Sequence, residues 1–146
     1  MRHFIALSCA LVAAACGGRE RAAERAASAA TIVLADVAGT WTMHAMNAAG
    51  DSTLVTSQMT ATGSMEGWTF TLPGRDPMPM RVVAEGDSIV TEMGPYSSAL
   101  RPGVTVTTRS VLRLQGGELV GTFDAHYVTS GADSVLMGKM HAVRAP

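Results

Sequence analysis

The chain has 146 residues, 47% of them hydrophobic and 16% charged, with a formal net charge of −1 at pH 7. That length and balance fit one globular domain, and exclude a highly charged disordered chain or a strongly basic one built to hold phosphates. Both cysteines, Cys9 and Cys16, fall near the N-terminus, which excludes a disulfide framework in the body of the chain.

The chain opens MRHFIALSCALVAAAC. Arg2 and His3 form a short basic start, and the apolar run 4–15 is shorter than the ~17–25 residues a membrane-spanning helix needs. These features predict an export signal over 1–15, with Ala13, Ala14 and Ala15 as the small residues before the cleavage point. The segment resembles a bacterial lipoprotein signal. Ala14 and Ala15 match the small residues of its lipobox, and Cys16 takes the lipid-modified position. Ala13 departs from the pattern, which usually has leucine there. The resemblance implies acylation at Cys16 and attachment to an envelope membrane through covalent lipid, since several hydrocarbon chains hold stably where one holds marginally. Gly17 does not resemble an inner-membrane retention signal, so the periplasmic side of the outer membrane is the expected address. The rival readings are cleavage after Ala-x-Ala to a soluble periplasmic protein, and an uncleaved N-terminal anchor. Residues 16–35, rich in alanine, are expected to form a tether. Arg21 and Glu24 have helical spacing, but isolated helices of this length are marginal in water.

From residue 36 to 146 the texture changes to Val, Thr, Met and Ile, punctuated by Gly, Asp, Asn and Pro. Such regular turn signals point to an all-β domain. Alternation predicts strands over 40–46, 52–62, 67–72, 79–85, 88–93, 104–114, 118–128 and 134–144. Gly86-Asp87 and Gln115-Gly116-Gly117 read as hairpin turns between them. Pro77 and Pro79 lack an amide donor, so the strand they open is expected to begin ragged. The expectation is an eight-stranded antiparallel up-and-down barrel, or a strongly curved meander, since closure removes exposed edges. Only 5% of the chain is aromatic, so aliphatic residues and methionines must fill the lumen. Trp41, Trp68, Phe70, Val82, Val106, Leu112, Phe123 and Leu136 are the expected core.

Gly39-Thr40-Trp41, entering the first strand, is similar to the Gly-x-Trp of lipocalins and their calycin relatives. In that family the tryptophan plugs the closed end of the barrel beneath a basic side chain of the last strand. The resemblance implies that Trp41 and Arg144 form this structural plug, and that the barrel is of a minimal lipocalin-like kind. Neither the C-terminal helix nor the disulfide of many lipocalins has a counterpart in this sequence.

Nine methionines follow the signal. Thioethers beside His44 and His141 would suit Cu(I), yet Met78 and Met80 share a strand face with Val82 and Ala84, as lumen-filling residues would. No metal or cofactor is therefore expected. Asp124 and His126 share a strand face opposite Leu119, Phe123, Ala125 and Tyr127, which places them on the solvent side. Neither GxSxG nor HExxH occurs, and the expectation is a protein without enzymatic activity. From Asp36 onward, seven Lys and Arg face ten Asp and Glu, a balance of minus three, and the arginines are scattered. Nucleic acid is accordingly not expected as a partner.

The segment GPYSSALRPG at 94–103 reads as a long loop able to cover the barrel mouth. Tyr96 and Leu100 are its candidate ligand contacts, with Arg101 to meet an anionic head group and Met78 and Met80 to line the lumen. The expected function is a tethered binding module for a small apolar ligand such as a fatty acyl chain. The alternative is a filled barrel that holds or inhibits an envelope protein through its surface. Lumen volume separates the two, since ligand pockets occupy about 300 Å³ or more.

Overall fold

Runs of alternating polar and apolar residues separated by glycine turns leave this chain one economical solution, a sheet with a single buried face rolled on itself. The computed structural model describes residues 31–129, 131 and 134–146; the expected signal, Cys16 and tether residues 17–30 lie outside them. A one-turn helix, α1 (Leu34–Val37), precedes β1 (Gly39–Met46) and β2 (Thr53–Ala61). Then come β3 (Thr69–Thr71), β4 (Met78–Pro79), β5 (Arg81–Glu85) and β6 (Ser88–Ser97). The chain closes with β7 (Thr105–Gln115), β8 (Glu118–Tyr127) and β9 (Val135–Arg144).

All pairings are antiparallel, in the order β4-β3-β2-β1-β9-β8-β7-β6-β5. The first and last strands of the meander meet, with Trp41 opposite Arg144 and His44 opposite His141. At the other side, segment 78–85 faces both ways. Its first two residues pair with β3 and residues 81–85 pair with β6, so the barrel is nearly closed. The expected count of eight strands becomes nine because this segment breaks at Met80, whose amide turns to the Trp68 carbonyl at 3.0 Å.

Two boundaries move for physical reasons. Residues 94–97, expected in the loop, belong to β6: the register slips between Met93 and Tyr96, and pairing with β7 then resumes through Ser97. A Gly-Pro pair here makes a bulge rather than a corner. Residues 31–35, expected in the tether, join the body. The Ile32 amide donates to the Gly86 carbonyl at 2.8 Å, and Ile32 and Leu34 pack against the core.

Trp41, Trp68, Phe70, Val82, Val106, Leu112 and Phe123 are all buried in one core; Leu136, the second residue of β9, is half-buried. Sharp coiling of the sheet depends on two inward glycines. A Cβ on Gly121 would lie 1.8 Å from the Val111 carbonyl oxygen, and one on Gly138 would lie 2.1 Å from that of Met46. Only glycine permits backbones to approach so closely.

Candidate functional site at the open end of the barrel

The barrel has two unlike ends. At one, α1 folds across the opening, and the Trp41 indole, fully buried, donates from Nε1 to the Val37 carbonyl at 2.8 Å. The Arg144 guanidinium lies 4.4 Å from the centre of the Trp41 ring. It also donates to the carbonyls of Ala38 at 2.9 Å and Asp36 at 2.6 Å, tying the last strand to the residues before the first. Trp41 and Arg144 are thus brought together and close this end.

At the other end lie the loops after β1, β3, β6 and β8. Beneath them is a cavity of about 60 Å³, lined mainly by apolar side chains that include Phe70, Met93, Tyr96, Leu100, Tyr127 and Met140. That is room for a few water molecules. It is far below the ~300 Å³ that ligand pockets start from. The loop over it is held shut by polar contacts. Arg75, the exposed charge of the β3–β4 connection, donates to the carbonyls of Ser97 and Ser98. The Ser98 hydroxyl accepts the amides of Leu100 and Arg101 at 3.1 and 2.9 Å.

Tyr96 and Leu100 line this cavity, whereas Arg101 does not; its guanidinium lies 3.9 Å from the centre of the Tyr127 ring. Met78 and Met80 are not among the lining residues. Met80 is buried in the core, and Met78 packs half-buried against it. Met93 and Met140 take the place expected for them. Counting inward positions toward the open end of β6 and β9 would have found both. Met43 and Met59 fill the lumen further in, so most of the described methionines act as packing.

The lumen also carries hydroxyls. The Tyr96 and Thr108 hydroxyls are 2.9 Å apart, and deeper in, Thr91 stands opposite Ser110, both without a hydrogen-bond partner in the structure. Burial pushes the Tyr96 hydroxyl above its ordinary 10.0, with the Thr108 hydrogen bond opposing the rise. The folded value exceeds the unfolded one, so this contribution to stability is complete below pH 10.0 and is lost as pH rises through the folded value. Alkaline unfolding curves of the native chain and Tyr96→Phe should therefore diverge above about pH 10, with the variant declining less. Parallel curves would show that Tyr96 is not buried as described.

On the outer face, His126 Nε2 and Asp124 Oδ2 are 3.0 Å apart and exposed, on the solvent side expected for them. Among the described residues no three His, Cys, Asp or Glu side chains converge on a common metal position. No helix among them is long and apolar enough to cross a membrane. No protein-family model, curated protein or solved structure matches the chain.

Proposed function

We propose that this chain is a non-enzymatic module of the cell envelope, tethered through lipidated Cys16, whose filled barrel presents its open end to a protein partner. The observation that carries this reading is where the exposed apolar side chains stand. Among the described residues six large apolar side chains are exposed. Four of them, Leu100, Val128, Val135 and Met137, stand at the open end, three on the β8–β9 hairpin, while Val33 and Met65 stand at the other end. Val128 and Met137 are 76% and 67% exposed, far beyond what packing alone would leave. Several exposed hydrophobics on one hairpin favour a contact surface there. The chain enters the barrel at the opposite end, where Ile32 meets Gly86. With Cys16 lipidated, the attachment joins the barrel at the end opposite the apolar one. The small cavity supports this reading over a carrier of acyl chains.

The test places a photo-crosslinking residue at Met137 of the full chain in its own envelope, with Thr60 on the outer face of β2 as the control position. A discrete protein adduct from position 137, lost on Val135→Asp and absent from position 60, is the expected result. The same pattern from both positions, or none from either, overturns the reading. Intact-mass analysis of the membrane fraction checks the anchor, for which an unacylated mature chain would be decisive against it.

A second reading keeps the small apolar ligand, such as a fatty acyl chain, entering the cavity when the 98–104 loop lifts. It is favoured by the apolar lining beneath a loop that is fastened by a few hydrogen bonds. Native mass spectrometry with and without a mixed lipid extract separates the two. Stoichiometric lipid retention supports the carrier, and a bare chain in both samples leaves the surface reading.

A further inference from the structure

We infer that the outer face of the β1–β9 seam is a binding site for a borderline divalent transition-metal ion such as Zn²⁺, held by His44 and His141. The two residues are direct cross-strand partners where the first and last strands meet. Their ring centres are 6.4 Å apart and the rings are inclined by 31°. Zinc binds imidazole nitrogen at ~2.0–2.1 Å, which puts each ring centre ~3.2 Å from the ion and the two centres ~5.2 Å apart at a tetrahedral angle, ~6.4 Å in a straight line. The observed 6.4 Å is the straight-line limit, so a tetrahedral ion requires the ring centres to close by ~1 Å, a movement within reach of side-chain rotation on the solvent face.

Each ring also has one nitrogen engaged and one left over. His44 Nδ1 is 3.3 Å from the Thr56 hydroxyl on β2, and His141 Nε2 is 2.9 Å from Glu118 Oε2 on β8. That leaves His44 Nε2 and His141 Nδ1 as the donors to an ion. Nε2–H donating to the Glu118 carboxylate leaves His141 Nδ1 free to ligate, and the Thr56 hydroxyl, able to accept from His44 Nδ1–H, suits the tautomer that frees Nε2. A carboxylate behind a ligating imidazole orients the ring and raises its basicity. Glu118 also brings a negative charge beside the site. Lys139, the nearest cation along β9, is drawn aside to the Ala49 carbonyl at 2.9 Å. Two protein nitrogens make an open site, its remaining positions filled by water. Neutral imidazole selects Zn²⁺, Cu²⁺ or Ni²⁺ over Ca²⁺ or Mg²⁺.

The experiment is calorimetric titration of the full chain in detergent with Zn²⁺ alone, and with Mg²⁺ as the control cation. Because His3 and the cysteines precede the barrel, the readout is the difference between the native chain and its variants. His44→Ala and His141→Ala should each weaken one Zn²⁺ equivalent at least tenfold, and the double variant should lose little more than either. Glu118→Gln should weaken it about tenfold, as loss of an outer-shell partner does. Binding should fall in acid, as protons compete for the imidazoles. The two rings' nitrogen NMR signals should move together on adding Zn²⁺. All three side chains are on the solvent face, so metal-free melting temperatures should hardly change, which separates loss of the site from loss of the fold. Equal Zn²⁺ affinity in the native chain and the double variant, or ring signals that do not respond, overturns the inference.

Discussion

Replacing Trp41 with alanine is expected to remove about 3–5 kcal/mol of folding stability, the range for truncating a large buried aromatic side chain. Trp41 has no exposed surface, and its indole N–H satisfies the Val37 carbonyl at the end of α1. The variant loses the packing, opens a void, and frees the helix that covers this end. Arg144→Met isolates the smaller part of the plug, because it keeps an apolar stem over the ring and deletes the guanidinium. A cation–π contact contributes about 0.5–2 kcal/mol and the variant also deletes the hydrogen bonds to the Ala38 and Asp36 carbonyls, so the loss should be about 2 kcal/mol. Denaturant unfolding of both variants measures the difference. A Trp41→Ala chain as stable as the native one would show that this end is not held by the indole.

The second large effect should come from adding one methyl group. Gly121→Ala puts a Cβ 1.8 Å from the Val111 oxygen and 3.0 Å from the Leu112 Cα, and both are backbone atoms of a paired strand. Relief requires the β7–β8 ladder to open, so the expected cost is about 3 kcal/mol or more, at the upper end for overpacking. Gly63→Ala is the matched control. Its Cβ would meet Ala35 Cα at an ordinary 3.8 Å, and its stability should stay within about 0.5 kcal/mol of native. Circular dichroism and thermal melting of the pair settle it. Similar melting temperatures for the two would mean that the sheet can flatten at Gly121.

Much of the candidate site was legible only in outline. Leu100 reaches the cavity from the loop that crosses the end of the barrel, as its Gly-Pro-bounded segment suggests. Tyr96 reaches it from β6, beyond a bulge where the Gly-Pro pair alone reads as a corner. Arg101 stands outside the cavity lining, over Tyr127, which a different strand brings close, and no local pattern reports that. The assignment of Met78 and Met80 followed strand parity, which gives the buried face but not the depth. They are inward or packed on the core, yet not beside the cavity, where Met93 and Met140 stand. Depth depends on stagger between strands, and stagger is a property of the closed sheet.

What this sequence determined by itself was whatever a period of two and a turn residue can encode. The all-β class, the order of the meander, the buried side of β8 and most of the core follow from local alternation. What the tertiary structure alone decided was what depends on residues far apart meeting. The splitting of segment 78–85 between two neighbours follows from where the barrel closes. The bulge at 94–95 extends β6 because β7 offers a ladder on the far side of it. The cavity's size is set by how nine strands' side chains fill one lumen. The juxtaposition of His44 with His141, nearly a hundred positions on, is fixed by the register of the last strand against the first. Alternation gives each residue a face; only closure gives it a neighbour.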